Sequence, residues 1–254
     1  DFTNVMRNGK IAMKLEEAGD EILAVETCTD NDDVLLTAAS GQCIRFSVDD
    51  VRVFMSRGSV GVRGINMAET DRTISMTILD HVDATPAERS AYLKRSAAER
   101  RALGDDVEEV SLTNEDIGEE AVLSDTRYNE MGKHEQFVLT MTEFGYGKRS
   151  SSYDFRLTGR GGKGIISVKT TERNGLAVGF LQVRDDDQIM LMAAQGKVLR
   201  CKVDDIREIG RNTQGVRILD LDGEGDRVVA VARLADAAER EDATSEDTSE
   251  NSSD

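Results

Sequence analysis

The sequence contains few of the residues from which metal sites and disulfides are built. Its 254 residues include no tryptophan, one proline, three cysteines and two histidines, and aromatic residues make up only 4%. The cysteines form no CxxC pair and the histidines are far apart, which argues against a metal site. We expect the thiols of Cys28, Cys43 and Cys201 to be small apolar fillers in a reducing compartment.

Long apolar runs are also missing. No window approaches the roughly 18 to 20 uninterrupted apolar residues that a membrane helix needs, and no stretch of the given sequence resembles a signal segment. We therefore expect a soluble cytoplasmic protein of one or two domains with no membrane partner. Because the chain opens at Asp1 in the middle of a pattern, we expect it to be a piece of a longer protein.

Basic residues are outnumbered over the whole chain but not in every part of it. The 32 Lys and Arg face 49 Asp and Glu, so the formal charge is −17 and the chain as a whole should be repelled by nucleic acid. Residues 137–217, however, hold 14 basic and 9 acidic residues, a net charge of +5. Residues 237–254 have no large apolar side chain and are predicted to form a disordered acidic tail. This tail either adds solubility alone or competes with a polyanion for the basic stretch.

Three segments of the chain share one layout, in which an apolar run, a glycine turn and an alternating run follow one another. The period-two patterns around each turn predict β-hairpins. A second glycine follows each first one after 19 or 20 residues, and the pairs are Gly41 with Gly61, Gly145 with Gly164, and Gly196 with Gly215. We name these segments the first, second and third repeat units. An Asp-Asp-aliphatic step follows the hairpin in the first and third units, but the second unit has Tyr153, Asp154 and Phe155 there.

Each unit predicts about four short strands, so the fold class is all-β and the architecture is a propeller-like array of four-stranded blades. The period-two pattern argues against helical repeats, and the spacing is too long for leucine-rich repeats.

The gap between the first and second units is twice the repeat length, and we predict a helical insertion at about residues 84–136. Thr85, Pro86 and Glu88 are typical of a helix start with a capping box, and Gly104 is typical of a helix end. A helix is therefore expected at 85–103, and a second, shorter one at about 125–135. Together they should form a helical hairpin on the surface.

The segment GRGGKG at residues 159–164 has the spacing of a dinucleotide-binding loop, but its context differs. The residues after it alternate as in a strand, whereas a dinucleotide loop opens a helix, and Gly164 stands where a Walker loop needs Ser or Thr. The segment is either a glycine-rich turn between strands or a place where backbone amides, Arg160 and Lys163 hold a phosphate. No catalytic triad, carboxylate dyad or metal cluster emerges, so we expect no catalysis and no cofactor in this chain alone.

Basic residues recur at equivalent places in the units, after the first turn and before the second glycine. Equivalent positions in successive blades would share one rim, which suits contacts to a DNA backbone. Ordinary exposed cations at strand ends are the alternative. The candidate DNA-binding residues are Arg45, Arg57, Lys148, Arg149, Arg160, Lys163, Lys197, Arg200 and Arg211.

Several long ungapped segments resemble the C-terminal domain of the DNA gyrase A chain, part of a type IIA DNA topoisomerase. They are GYGKRSSSYDF (145–155), GRGGKGIISVKTTERNGLAVG (159–179), DDQIM (186–190) and IGRNTQGVRI (209–218), together with NGKIAMKL (8–15) and GVRGI (61–65). The resemblance covers the repeat units and leaves out the insertion and the tail.

This resemblance implies a six-bladed β-pinwheel that wraps double-stranded DNA around a basic perimeter, so that the holoenzyme introduces negative supercoils with ATP. The chain would begin near the end of the third blade and contain the fourth, fifth and sixth blades. This partial pinwheel and the insertion would together occupy residues 1–236. The catalytic tyrosine and the ATP and Mg site would lie elsewhere, and the gyrase B protein would join through the missing upstream part in an A2B2 heterotetramer. The implied location is the bacterial cytoplasm, at the nucleoid.

The family's defining heptad, Gln-Arg-Arg-Gly-Gly-Lys-Gly, belongs to the first blade and is not in this chain; residues 160–164 reproduce its last five letters. Two alternatives remain at this point. One is the corresponding domain of topoisomerase IV, which binds DNA without equivalent wrapping, and the other is a protein-binding propeller with an incidental basic rim.

Overall fold

The structure is a computed structural model that describes residues 7–9, 11–15, 19–55, 58–104, 121–223 and 225–234. The predicted tail at 237–254 lies outside these residues. None of the helices within these ranges is long and apolar enough to cross a membrane. In chain order the elements are β1 (Asp32–Ala38), β2 (Gln42–Ser47), β3 (Thr73–Asp80), α1 (Pro86–Ala102), α2 (Asp125–Lys133), β4 (Phe137–Thr142), β5 (Tyr146–Ser151), β6 (Ile165–Ile166), β7 (Ala177–Val183), β8 (Gln188–Ala193), β9 (Val198–Lys202), β10 (Val216–Arg217) and β11 (Val228–Leu234).

Each repeat unit begins with the predicted hairpin. Strand β1 pairs antiparallel with β2, β4 with β5, and β8 with β9. The turns place Gly41, Gly145 and Gly196 at φ values of 87°, 78° and 92°. Side chains with a Cβ rarely adopt this left-handed conformation, which explains why the same residue recurs at all three turns.

The outermost strand of a sheet comes from the following repeat unit. The first sheet has the order β3-β1-β2-β6 and the second β10-β5-β4-β7, although β6 belongs in sequence to the second unit and β10 to the third. Within the described ranges, the third sheet has the order β11-β8-β9. Four-stranded antiparallel sheets are thus confirmed, but a unit shares its strands between its own sheet and the preceding one.

The donated strand passes directly over the glycine of the receiving turn. The Gly145 carbonyl oxygen accepts hydrogen bonds from the backbone N–H groups of Ile218 at 2.8 Å and Leu219 at 3.1 Å. A Cβ added to Gly145 would lie 2.1 Å from the Leu219 carbonyl oxygen, a distance that Cβ atoms do not reach. The donated strand therefore requires the absence of a side chain here.

The same contact recurs between the first and second units. The Gly41 carbonyl accepts a hydrogen bond from the Ser167 N–H at 2.8 Å, and a Cβ at Gly41 would lie 2.2 Å from the Val168 carbonyl oxygen. The second glycine is enclosed from the other side, since a Cβ at Gly164 would lie 2.0 Å from the Cys43 carbonyl oxygen. The glycine pair seen in the sequence thus marks both sides of one strand junction.

The inner ends of the sheets are in mutual contact. Strand β3 packs beside β7, and β7 beside β11. The Ser75 hydroxyl of β3 donates a hydrogen bond to the Phe180 carbonyl of β7 at 2.8 Å. The opposite ends, formed by β6, β10 and β9 with their adjoining loops, therefore face outward, and we call them the outer rim.

Apolar side chains fill the spaces between neighbouring sheets. Leu139, Ile189 and Leu191 are fully buried between the second and third sheets, and Leu35 and Val138 between the first and second. Cys43 belongs to this core as predicted, and burial raises the pKa of its thiol to about 12. The apolar-filler prediction is wrong for Cys28, which is exposed.

The predicted helices of the insertion are present. At the start of α1 the Thr85 hydroxyl accepts a hydrogen bond from the Glu88 N–H at 3.2 Å, and the Glu88 carboxylate accepts one from the Thr85 N–H at 2.9 Å. This reciprocal capping box satisfies two backbone donors that a helix start otherwise leaves unpaired. Gly104, with a φ of 100°, follows the C-cap residue Leu103.

Tyr153, the residue at which the second unit departs from the repeat, anchors the helical insertion. Tyr153 is buried, packs edge-on against Tyr92 of α1 with ring centroids 4.9 Å apart, and donates its hydroxyl to the Met131 carbonyl of α2 at 2.8 Å. Its counterpart in the first unit, Asp49, is exposed. The tyrosine therefore replaces a solvated aspartate because the helices cover this position.

A partly buried ion pair forms a second contact of the insertion. Arg100 Nη2 of α1 lies 2.7 Å from Glu208 Oε1, which precedes β10. Burial raises the pKa of Glu208 to about 7, although Arg100 opposes the shift. Burial also raises the pKa of Glu135, which accepts hydrogen bonds from the Tyr92 hydroxyl at 2.7 Å and the Ser151 hydroxyl at 2.5 Å.

Substitution of the turn glycines should separate the stability lost to backbone strain from the stability lost at the strand junction. Gly145→Ala incurs both a positive φ and the clash with Leu219, whereas Gly196→Ala incurs only the positive φ, because nothing lies within 4 Å of an added Cβ there. We expect Gly196→Ala to lose about 1–2 kcal/mol of unfolding free energy, and Gly145→Ala to lose clearly more. Urea unfolding of the full chain measures both, and equal losses would contradict the junction's role.

The raised pKa of Glu208 predicts a pH dependence of stability. Because the pKa of Glu208 is higher in the folded chain than that of an ordinary carboxyl, protonation of Glu208 stabilises the folded state. This contribution to the free energy of unfolding is lost as the pH rises from about 4.5 to 7. Relative to wild type, Glu208→Gln should therefore gain stability over that range, on the order of 3 kcal/mol at most. Urea unfolding at pH 5 and pH 8 measures the change. Glu99→Gln is the control because the pKa of this exposed carboxyl is lowered, mainly by a hydrogen bond from Arg95, so no such gain is expected.

Candidate nucleic-acid interface

The structure divides the predicted DNA-binding residues into buried and surface cations. Arg57 lies outside the described residues. Arg45, Lys148 and Arg211 are buried. Of the surface members, Arg149 and Lys197 are partly buried, and Arg160, Lys163 and Arg200 are exposed.

Arg45 fastens the first unit to the second. Its side chain is 6% exposed and pairs with the buried Asp33, with Arg45 Nη2 at 2.7 Å from Asp33 Oδ2. Arg45 Nη1 donates to the Ser152 carbonyl at 2.9 Å, and Nη2 to the Asp80 carbonyl at 3.0 Å. A guanidinium committed to these acceptors has no free face for a phosphate.

Lys148 and Arg211 hold the donated segment of the third unit. Lys148 is fully buried, and its Nζ donates to the carbonyl oxygens of Gly210, at 2.8 Å, and Arg211. The Arg211 Nε donates to the Asp154 carbonyl at 3.0 Å. The expectation that Arg45, Lys148 and Arg211 lie on an exposed rim is therefore wrong, because these side chains are buried as donors to carbonyl groups at the unit junctions, which would be costly to leave unpaired.

Arg149 and Lys197 lie at the surface beside carboxylates. Arg149 pairs with Asp185 and stacks over the Phe137 ring, with its guanidinium carbon 5.4 Å from the ring centroid. Lys197 Nζ lies 2.7 Å from Asp222 Oδ1. These cations are available to a polyanion only in competition with their partners.

Arg160, Lys163 and Arg200 are exposed on the outer rim. Arg160 donates to the Arg63 carbonyl at 2.8 Å and thereby ties the GRGGKG loop to the first unit. This loop leads into strand β6, whereas a dinucleotide-binding loop or a Walker loop leads into a helix. Arg200 donates to the Gln188 amide oxygen at 2.7 Å.

The exposed cations on the rim that the sequence reasoning missed include Lys169, Arg173 and Arg217. Arg217 lies on β10 directly opposite Tyr146 on β5. The Tyr146 hydroxyl oxygen accepts hydrogen bonds from Arg173 Nε at 3.1 Å and Arg217 Nη2 at 3.0 Å. Both guanidinium carbons also lie near the ring, 5.1 and 5.2 Å from its centroid. For Arg217 the sequence contained one signal of a rim position, because this residue stands two residues after Gly215, the second glycine of its unit.

Among the described residues, no group of three or more His, Cys, Asp and Glu is placed to hold a metal ion. What the outer rim offers is a series of exposed cations on short strands and loops, which suits backbone contacts to a polyanion.

The sequence matches the family described as "DNA gyrase C-terminal domain, beta-propeller" over residues 5–29, 32–80, 136–184 and 187–235. The last three segments coincide with the three repeat units, and the gap between 80 and 136 contains the helical insertion. The chain belongs to this family.

Relatives of this gyrase domain chain include DNA gyrase A proteins. It is 41% identical to the DNA gyrase A protein of Rickettsia bellii over 246 residues, which cover 97% of this chain and 26% of the relative. Identity is 42% with the gyrase A protein of Granulibacter bethesdensis, over 87% of this chain and 24% of that one, and 33% with that of Escherichia coli, over 95% and 21%. The chain thus spans about a quarter of the length of the curated relatives that it matches.

Solved structures of similar fold include a DNA gyrase A C-terminal domain and a topoisomerase IV C-terminal domain. The first has a TM-score of 0.62 at 22% identity and covers 90% of this chain and 59% of its own. The second has a TM-score of 0.64 at 18% identity and covers 93% and 57%. These likenesses confirm the propeller-type fold of the gyrase domain family.

The arrangement around Tyr146 predicts an early tyrosine ionisation. Hydrogen bonds from Arg217 and Arg173 stabilise the phenolate and lower the pKa of Tyr146 below its ordinary value of 10, whereas burial raises the pKa of Tyr128 and Tyr153 to about 12 and raises that of Tyr92. In an ultraviolet pH titration of the full chain, one of the four tyrosines should ionise below pH 10. Tyr146→Phe should remove this step, and its persistence in that variant would contradict the assignment.

Proposed function

We propose that this chain is a DNA-binding and DNA-wrapping module of a DNA gyrase A protein, and that duplex DNA follows the outer rim. The observation that carries the proposal is the placement of exposed cations: in a chain of net charge −17, Arg160, Lys163, Lys169, Arg200 and Arg217 all lie at the outer ends of adjacent sheets. Membership in the gyrase C-terminal domain family supports the same conclusion.

The physical role of such a rim is to offset the elastic cost of bending DNA. Bending 20 to 30 base pairs by 40–90° costs on the order of 1 to 6 kcal/mol. Contacts between rim cations and phosphates can offset this cost, because each neutralised phosphate releases counterions. Since such contacts go to the backbone and not to base edges, wrapping should depend only weakly on sequence.

The proposal extends to the assembly of which this module is a part. The wrapped segment would be presented to a DNA gate formed by the upstream part of the gyrase A protein, and the gyrase B protein would supply the ATP and Mg site in an A2B2 heterotetramer. The holoenzyme would introduce negative supercoils in the bacterial cytoplasm, at the nucleoid. The acidic segment 237–254 would compete with DNA for the rim cations.

A second candidate is the corresponding module of topoisomerase IV, which the fold likeness to that C-terminal domain supports. The two candidates differ in whether bound DNA is wrapped. A relaxed plasmid closed by topoisomerase I in the presence of the chain retains supercoils of one sign if the chain wraps DNA, and retains none if it only binds.

Removal of exposed rim cations should weaken DNA binding and reduce its dependence on salt. For Lys163→Ala, Lys169→Ala and Arg200→Ala combined, we expect the slope of log K against log salt to fall by about 1 to 3, since each phosphate contact contributes about 0.9. Fluorescence anisotropy with a linear duplex, titrated between low and moderate salt, measures the slope.

The charge-matched control is Lys94→Ala, Arg95→Ala and Arg101→Ala, three cations of α1 in the helical insertion. This variant has the same net charge as the rim variant but should keep the wild-type slope. Equal losses in the two variants would show that only net charge matters and would contradict binding along the rim. Absence of binding by the wild type at low salt would favour a protein-binding propeller.

A further inference from the structure

The rim of the second unit contains a composite group of side chains that lie far apart in sequence. Tyr146 is the first residue of β5, Arg173 lies in the loop before β7, and Arg217 lies on β10, the strand donated by the third unit. Both arginines are exposed, and both donate to the same phenolic oxygen.

Two guanidinium groups held on one neutral oxygen repel each other. Among the described residues, the ion pair formed by either arginine is that of Arg217 with Asp220 at 3.0 Å. Asp220 is 78% exposed, and such solvent-exposed pairs contribute little. The arrangement therefore concentrates weakly compensated positive charge at one point of the rim, and the hydrogen bonds from Arg217 and Arg173 lower the pKa of Tyr146.

The positions of both arginines are set by the fold before any ligand arrives. Tyr146 is 3% exposed, so its ring is fixed, and Arg217 is held opposite it by strand pairing. The loop that carries Arg173 is held by Asn174, which is fully buried, accepts a hydrogen bond from the Thr171 N–H at 2.8 Å, and donates to the Lys169 carbonyl at 3.0 Å. Preorganisation of this kind lowers the entropy cost of binding.

The first unit has no equivalent of this group. The strand register places Gln42 opposite Ile166 in the first sheet, where the second has Tyr146 opposite Arg217. The first sheet therefore lacks this group at the equivalent register position.

We propose that Arg173 and Arg217, held together by the hydroxyl group of Tyr146, bind one phosphate group of the DNA backbone as a pair. Guanidinium groups match the geometry of phosphate oxygens and bind them through parallel N–H donors. The phosphate relieves the repulsion between the two cations, and Tyr146 acts as the positioning residue. This inference rests on the proposed DNA-binding function and specifies where the second unit holds the backbone.

The test compares the salt slopes of single and double variants in the full chain. Arg173→Ala and Arg217→Ala should each weaken binding to a linear duplex severalfold. Because both arginines share one phosphate, the double variant should lose about 0.9 in slope in total, the value for a single contact. A loss near twice that value, with additive effects on affinity, would assign the arginines to two separate phosphates and overturn the pair.

Tyr146→Phe tests the positioning role, because it removes only the hydroxyl group and keeps both charges and the ring. We expect a severalfold loss of affinity with an unchanged salt slope. Tyr153→Phe is the matched control, since it too removes one tyrosine hydroxyl, in this case a donor to the Met131 carbonyl of the helical insertion. Wild-type affinity in Tyr146→Phe, or an equal loss in Tyr153→Phe, would overturn the role of Tyr146.

Arg95→Ala is the control for the loss of one partly exposed arginine beside a tyrosine ring, because the Arg95 guanidinium carbon lies 4.0 Å from the ring centroid of Tyr128. It should leave affinity and slope unchanged. If the wild type binds duplex DNA and the Arg173 and Arg217 variants behave like Arg95→Ala, the pair is refuted while the proposed function stands. If the wild type fails to bind at low salt, the proposed function and the pair are both refuted.

Discussion

The structure depends on one recurring backbone contact, in which the carbonyl of a turn glycine receives the strand donated by the next unit. At Gly145 this contact leaves no room for a Cβ, because the Leu219 carbonyl oxygen would lie 2.1 Å from it. The donated strand completes the hydrogen bonds of a sheet edge that would otherwise be open. Neighbouring blades are consequently joined by backbone pairing as well as by the apolar cores between sheets, and the first and second sheets are each completed by a strand of the following unit.

This junction determines what the recurring charges of the repeat do. Donated segments bring carbonyl groups into the interior, and Lys148 and Arg211 supply the donors that these groups require. Arg45 performs the same task where the first unit meets the second. The cations beyond the junctions, on β6, β10, β9 and their loops, are the ones left for an external polyanion. An arginine that recurs at a repeat position is therefore as suited to fastening blades together as to binding DNA.

The helical insertion follows the same logic of covering a surface that the repeat leaves exposed. In the first unit the turn after β2 ends in solvated aspartates, whereas in the second unit Tyr153 takes that place and is buried under α1 and α2. Arg100 and Glu208 add an ion pair across the contact. The break in the repeat pattern at Tyr153 and the doubled spacing between the units thus have one cause.

Local signals in the sequence determined much of the fold. The glycine turns, the hairpins they close, the capping box at Thr85 and the helical insertion all depend on residues near one another, and all are present as predicted. The tertiary structure alone decided which sheet each strand joins, because β6 and β10 pair with partners from another unit. It also decided which cations are exposed: Arg45 and Arg200 hold equivalent places in the repeat, yet the first is buried against Asp33 and the second is exposed. The sequence pattern shows how apolar and polar side chains alternate along one strand. Whether a given side chain is buried depends on which distant segment of the chain packs against it.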